Sequence, residues 1–155
     1  MGRRKWILVS VALPVLVVLW WAFRPEKLWI NEKVNETAPF DTSDGPQPIL
    51  TGRFEDKAQQ TSGRATIFKK PGGEEYLRLS DFTTSNSGDV HVVLARSENR
   101  GDIDRIDLGP LKSNQGDQNY DLPAAAAKEL GKYDAVVVYS EQSHAVFGLA
   151  KLEVF

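Results

Sequence analysis

The stretch YDAVVVYSEQSHAVFGLA, residues 133–150, has the pattern that decides the fold class. Two apolar runs flank a short polar insert that begins at Ser140, which predicts a hairpin of two β-strands. Residues 135–139 are apolar on both faces, which is typical of a central strand covered on both sides. The hairpin therefore predicts a sheet with a buried centre, and it raises the question whether Ser140 and His144 form a site at its turn.

The chain beyond residue 50 repeats this pattern of short apolar runs and turn signals. Clusters of Gly, Pro, Asn and Asp separate the runs at spacings of about 10–15 residues, which favours an antiparallel sandwich or barrel. We predict an all-β fold, an antiparallel β-sandwich with one short helix at Ala124–Leu130, after Pro123 and before Gly131. The predicted strands are residues 64–69, 76–79, 90–95, 105–108, 135–139 and 145–147 with 149–154, and the predicted turns are 71–73, 86–89, 99–102 and 114–117.

Alternation within the predicted strands indicates which side chains face the core. In residues 90–95, Val90, Val92 and Leu94 share one face, and the other three residues share the opposite face. The predicted core comprises Phe54, Ile67, Leu77, Leu79, Phe82, Leu94, Leu108, Val136, Val138, Phe147 and Leu152.

The first 24 residues have the pattern of a membrane anchor. Residues 6–23 carry no charge and, as a helix, would span roughly 27 Å, close to the thickness of the hydrocarbon core of a bilayer. The run ends in bulky residues where a signal peptidase requires small ones, which favours an uncleaved signal anchor. The basic residues before it place the N-terminus in the cytoplasm. We predict a single-pass protein of the cell membrane, with an anchor at 1–24, an extracytoplasmic stalk at 25–49 and a folded domain at 50–155.

Charge and cysteine content exclude several function classes. Residues 1–24 hold four of the 19 basic residues and none of the 21 acidic ones, so the remainder has 15 basic and 21 acidic residues, a net charge of −6. An acidic exterior domain does not suit nucleic acid as a partner. The sequence contains no cysteine, which excludes disulfides, thiolate metal sites and thiol nucleophiles.

A series of short motifs runs in a fixed order through residues 50–155. The motifs are GRF at 52–54, TSGRA at 61–65, LRLSDF at 77–82, GDVHVVL at 88–94, LGPLKSNQGDQNYDLP at 108–123, VVVY at 136–139 and FGLA at 147–150. This series resembles the DM-thirteen domain family, for which an electron-transfer role is proposed. The resemblance implies a β-sandwich in an exterior protein, in some members next to haem-binding or oxidoreductase modules.

The resemblance also draws attention to a residue that this chain lacks. The redox role of the family is attributed chiefly to a cysteine that follows the apolar strand near the C-terminus. Here Tyr139 is followed by Ser140, and Ser143 stands where an aromatic residue often follows. A serine hydroxyl does not cycle between thiolate and oxidised sulfur. The resemblance therefore implies the fold and the location more strongly than it implies thiol chemistry.

Two residue sets near the hairpin have the composition of a site. His91 and His144 both fall on predicted strands, and as neighbours they would offer two ligands to a metal or a haem, without a third. Ser140, Glu141 and His144 contain the residue types of a hydrolase triad, but no glycine provides the sharp turn of a nucleophile elbow. Both sets favour a structural interpretation over a functional one.

Two polar stretches elsewhere invite a binding hypothesis. Asp102, Asp104 and Asp107 suggest calcium, although their spacing is not that of an EF-hand loop. Residues 114–120 are predicted to form a loop in which Gly116 takes a positive φ and Asn and Gln cap backbone groups. The functional alternative for this loop is a surface that binds a sugar or a peptide.

The sequence as a whole predicts a non-catalytic binding module that is tethered to the membrane. Its partner is an unidentified envelope or extracellular protein or ligand, and no catalytic residue, metal or cofactor is expected. The alternative is a redox accessory domain that acts with a haem, a metal or a partner oxidoreductase. The candidate ligand-binding residues are Gln118, Asn119, Tyr120, Ser140 and His144.

Overall fold

A computed structural model of the chain describes residues 33–39, 45–97 and 104–155. These residues form ten β-strands and one short helix, α1 (Ala124–Lys128). The strands are β1 (Lys33–Asn35), β2 (Gln47–Asp56), β3 (Ser62–Lys69), β4 (Glu75–Thr83), β5 (Val90–Ala95), β6 (Ile106–Pro110), β7 (Gln115–Asp121), β8 (Ala135–Ser140), β9 (Ala145–Lys151) and β10 (Glu153–Val154).

The strands form one curled sheet in the order β1-β7-β4-β3-β2-β9-β8-β5-β6, with β10 beside β2. The sheet has two halves, β1-β7-β4-β3 and β9-β8-β5-β6, and β2 joins them. The residues of β2 up to Arg53 pair with β3, and its residues Phe54–Asp56 pair with β9. The pairing of β1 with β7 is parallel, and the other described pairs are antiparallel. The prediction of a β protein with one short helix is confirmed, and a single curled sheet takes the place of two separate sheets.

The core lies between the two halves of this sheet. One apolar cluster contains Ile67 and Leu79 from β3 and β4 together with Val92 and Val138 from β5 and β8. The predicted core residues are all buried except Leu108, which is partly buried and packs against the cluster. A second apolar cluster lies on the opposite face of β8, so this strand is covered on both sides, as predicted.

The sequence predicts a loop at residues 114–120, and this prediction is wrong because residues 115–121 form β7. The buried positions of β7 are Gly116, Gln118 and Tyr120. The sequence of β7 therefore lacks the alternating apolar side chains that would distinguish a strand from a loop. The positive φ predicted for Gly116 is confirmed at 100°. The helix begins at the predicted residue and is shorter than predicted at its C-terminal end.

The segment around β1 is held to the sheet, although it falls within the predicted stalk. A Cβ atom at Gly116 would overlap the carbonyl oxygen of Val34, so glycine is what lets β1 approach β7. The Glu36 carboxylate accepts hydrogen bonds from Lys112 Nζ at 2.8 Å and from the Asn119 backbone N–H at 2.7 Å. Backbone pairing and a hydrogen-bonded ion pair therefore fix this segment to the edge of the sheet.

We expect Glu36→Gln to flatten the loss of stability in acid. Burial by itself would raise the pKa of Glu36, but the hydrogen bonds from Lys112 and Asn119 lower it below the usual 4.5. A lowered folded-state pKa contributes stability that is present above the unfolded-state pKa and is lost as the pH falls through the folded-state value. The free energy of unfolding, measured by urea denaturation from neutral pH to below pH 4.5, should fall less steeply in the variant.

The matched control is Glu55→Gln, because Glu55 also pairs with a lysine, Lys57, but has a side chain that is 71% exposed. In this control, the free energy of unfolding should fall with decreasing pH as steeply as in the wild type. The same slope in all three proteins would show that Glu36 does not stabilise the folded state.

The predicted anchor at residues 1–24 and the predicted turn at 99–102 lie outside the described residues. Among the residues that the structure describes, no helix is long and apolar enough to span a membrane. The division into anchor, stalk and domain stays a prediction.

Candidate functional site around Tyr139

Aromatic, imidazole and charged side chains meet where β8 turns into β9. We refer to Tyr139, His144, Arg105, Glu141 and His91 as the Tyr139 cluster. Tyr139 and His91 are paired directly across β8 and β5, so their side chains point to the same face of the sheet. Glu141 begins the turn after β8, and His144 ends it, so the prediction that His144 falls on a strand is wrong, whereas His91 lies on β5 as predicted. The topology therefore brings both histidines of the chain to the neighbourhood of one tyrosine.

The Tyr139 ring is held from two directions and is only 3% exposed. The Arg105 guanidinium lies 4.5 Å from the ring centroid and forms an ion pair with Glu141. The Tyr139 hydroxyl lies 3.3 Å from Nδ1 of His144. His144 has a backbone φ of 49°, a conformation that is uncommon for residues other than glycine. A cation thus covers the ring, and an imidazole is placed at its hydroxyl.

His91 is engaged by carboxylates. Its Nδ1 lies 2.8 Å from Asp107 Oδ2, and its Nε2 lies 3.6 Å from Asp89 Oδ1. The imidazole of His144 instead contacts Tyr139. Within the described part of the chain, no group of three or more His, Cys, Asp or Glu residues is arranged to hold a metal ion. The hypothesis of a metal or haem held by the two histidines therefore gains no support from the geometry.

Ser140 ends β8 and is 1% exposed. Because successive side chains of a strand alternate, Ser140 faces away from Tyr139. Its Oγ accepts a hydrogen bond from the Ser143 N–H at 3.3 Å. Glu141 and His144 contact other members of the Tyr139 cluster, so the three side chains of the suggested triad each have different partners. A ligand role for Ser140 and His144 stays a prediction.

We expect a cysteine at position 140 to be protected from thiol reagents. Ser140→Cys would place its thiol at a buried site, whereas Ser143→Cys would place one on the exposed turn. Because a reagent must reach the thiolate, Ser140→Cys should react at least about tenfold more slowly than Ser143→Cys. The chain has no other cysteine, so reaction of each folded variant with a chromogenic disulfide measures one site. Similar rates would show that position 140 is open to solvent.

The polar side chains of β7 are used within the chain. Gln118 is fully buried, accepts a hydrogen bond from the Tyr120 hydroxyl at 2.9 Å and donates one to the Ser113 carbonyl at 2.7 Å. Burial raises the pKa of Tyr120 to about 12. The Asn119 side-chain oxygen accepts a hydrogen bond from Arg78 at 2.8 Å. These contacts favour the structural interpretation of β7, and a ligand role for Gln118, Asn119 and Tyr120 stays a prediction.

We expect Gln118→Leu to lower the free energy of unfolding by about 2 kcal/mol, because the Ser113 carbonyl and the Tyr120 hydroxyl would lose a buried partner. Urea denaturation would measure the loss. The matched control Gln142→Leu changes an exposed glutamine of the β8–β9 turn and should stay within about 0.5 kcal/mol of wild type. A Gln118 variant as stable as this control would contradict a structural role.

The acidic residues suggested for calcium have separate partners. Asp104 accepts hydrogen bonds from the Tyr133 hydroxyl at 2.7 Å and from Lys132 Nζ at 3.1 Å, and these lower the pKa of Asp104. Asp107 contacts the imidazole of His91. Asp102 lies outside the described residues. The described carboxylates therefore do not converge on a common point for a cation.

Sequence reasoning does not find Arg105, and it treats Tyr139 only as part of a strand. Arg105 lies 36 residues from Glu141 in the chain, so no local motif marks the pair. The one signal for Tyr139 is its place directly before Ser140, where the resemblance implies the cysteine of the family.

The fold and the site define a mostly β domain without cysteine, with a polar cluster centred on a tyrosine. The family model described as electron transfer DM13 matches residues 53–152, more than half of the chain. The chain therefore belongs to the DM13 family, and the resemblance in its motifs to the DM-thirteen domain is confirmed. No match was found among curated proteins or among solved structures.

Proposed function

We propose that this chain is a membrane-tethered, extracytoplasmic accessory domain that takes part in electron transfer by binding a redox partner. The observation that carries this proposal is the match to the electron transfer DM13 family over residues 53–152. The sequence supports the tether, because residues 6–23 are uncharged and follow a basic cluster.

Binding to a partner is part of the proposal because the chain has no thiol of its own. Ser140 stands where the resemblance implies the family cysteine, and its hydroxyl is buried and accepts a hydrogen bond from the Ser143 N–H. An electron therefore has to pass through a cofactor of the partner or through another oxidisable side chain of this chain. We expect the partner to be an envelope or extracellular protein, and the net charge of −6 beyond residue 24 argues against nucleic acid.

The second candidate is a binding module with no part in electron transfer, whose partner is a protein, a wall polymer or a small ligand. The absence of cysteine from the sequence favours it. The two candidates differ in one consequence, because only the first predicts that loss of the chain slows the passage of electrons at the cell surface.

Reduction of ferricyanide by intact host cells tests this consequence, since ferricyanide is a one-electron acceptor that does not cross the membrane. Cells without the chain should reduce it more slowly, and the wild-type chain should restore the rate. Ser140→Ala should restore it equally, because no thiol chemistry is lost, whereas residues 1–49 alone should not. An unchanged rate in cells without the chain would reject electron transfer. Co-purification with an envelope component would then favour the binding-only candidate.

A further inference from the structure

A domain that passes electrons through its own side chains needs residues that can be oxidised, and this chain has few. It has no cysteine, its single methionine is Met1, and its four tryptophans all precede residue 30. Within residues 53–152, the side chains most readily oxidised by one electron are therefore the four tyrosines. They are Tyr76, Tyr120, Tyr133 and Tyr139.

Three of these tyrosines, Tyr120, Tyr133 and Tyr139, differ in the group that would receive the phenol proton. This difference matters because a phenol that loses one electron becomes a strong acid. Burial raises the pKa of both Tyr76 and Tyr120 to about 12, and the Tyr120 hydroxyl donates to an amide oxygen, which is a weak base. The Tyr133 hydroxyl donates to Asp104, whose pKa is lowered. The Tyr139 hydroxyl instead lies 3.3 Å from an imidazole nitrogen of His144, which can accept a proton.

We propose that Tyr139 and His144 form a redox pair, in which Tyr139 gives one electron to an oxidant on a partner protein and its proton to His144 Nδ1. The phenol O–H bond breaks and an Nδ1–H bond forms, so the products are a neutral tyrosyl radical, an imidazolium and an oxidant reduced by one electron. Return of one electron to the radical returns the proton. The oxidant must be of high potential, and the class we assign is a high-valent haem centre of the partner, because an ordinary ferric haem or cupric centre is too weak to oxidise a phenol. His144 must carry its own proton on Nε2 for Nδ1 to accept.

The surroundings of the pair suit this step. Tyr139 is buried, which protects a radical from coupling to other molecules, whereas His144 is exposed and exchanges its proton with water. Arg105 holds the ring in place, and Glu141 balances the charge of the guanidinium, so the cation opposes oxidation of the ring less than an unpaired one would. This inference rests on the proposed function and names the residue through which the electron passes.

Photochemical oxidation of the full chain in detergent tests the pair without any partner. A flash that generates tris(bipyridine)ruthenium(III) supplies the one-electron oxidant, and electron paramagnetic resonance with transient absorption detects the tyrosyl radical. We expect the wild-type chain to form this radical and Tyr139→Phe, which keeps the ring, to lose most of the signal. The matched control Tyr133→Phe removes the tyrosine bonded to a carboxylate and should retain the signal.

The role of His144 has its own readout. Asparagine tolerates a positive φ and has no basic ring, so His144→Asn should fold while forming the radical at least about tenfold more slowly. The wild-type rate should also fall in deuterated water, and this isotope effect should shrink in the variant. A full signal in Tyr139→Phe, or a wild-type rate in His144→Asn, would overturn the inference. Neither result depends on the ferricyanide assay, so failure of the pair and failure of the proposed function are distinguishable.

Discussion

Phe147→Ala will lower the free energy of unfolding by about 3–5 kcal/mol. Phe147 is 4% exposed and belongs to the cluster between the two halves of the sheet. Loss of the ring removes apolar contacts and leaves a cavity that the surrounding strands fill only in part. Because domains of this size have a total stability of about 5–15 kcal/mol, the variant should be close to unfolding. Urea denaturation followed by far-ultraviolet circular dichroism measures the loss.

Phe155→Ala is the matched control, because it makes the same chemical change at a side chain that is 70% exposed. It should stay within about 0.5 kcal/mol of wild type. A loss of less than about 1 kcal/mol in Phe147→Ala would contradict the burial of the ring and the assignment of the face of β9 that points into the core.

Gly52→Ala is expected to cost about 3 kcal/mol, at the upper end of the range for overpacking. Gly52 lies in β2 close to the point where this strand exchanges β3 for β9 as its partner. A Cβ atom there would overlap the carbonyl oxygen of Lys151. The obstacle is backbone rather than the end of a flexible side chain, so β2 or β9 must shift and both halves of the sheet are affected.

The control for this substitution is Gly88→Ala, at an exposed glycine where a Cβ atom would meet nothing within 4 Å. The melting temperatures of the two variants and the wild type provide the comparison. Gly88→Ala should melt with the wild type, and Gly52→Ala should melt well below it. Equal melting temperatures of the two variants would show that the contact between residue 52 and the Lys151 carbonyl oxygen does not require glycine.

Much of the sheet could be predicted because its strands carry their own signal. β5 has the predicted bounds, and β8 is covered on both faces as its apolar sequence indicates. β7 could not be predicted, because its inward residues are glycine, glutamine and tyrosine. Burial of Gln118 is favourable only because Ser113 and Tyr120 satisfy its amide, and those bonds exist only in the folded chain.

The candidate site was predictable in part. The sequence predicts that a polar insert from Ser140 separates two strands, and the structure has a turn there, with Ser140 as the last residue of β8 and His144 in the turn rather than on the predicted strand. The sequence alone does not show which face of the sheet each side chain takes. In the structure, Ser140 faces the core, whereas Tyr139 and His91 share the opposite face and Arg105 lies over the Tyr139 ring. That arrangement depends on the register between β5 and β8, and a shift of one residue would separate these side chains.

The amino-acid sequence by itself determined the β class, the faces of the strands that are buried and the absence of a thiol from this DM13 chain, because each follows from residue identity and local alternation. The tertiary structure alone decided that one curled sheet encloses the core, that β1 is fixed to β7 through Glu36, and that Tyr139 meets His144 under the guanidinium of Arg105. Most of these contacts join residues far apart in the chain. They exist because strand pairing and packing bring those residues together, and local sequence carries no record of which strands become neighbours.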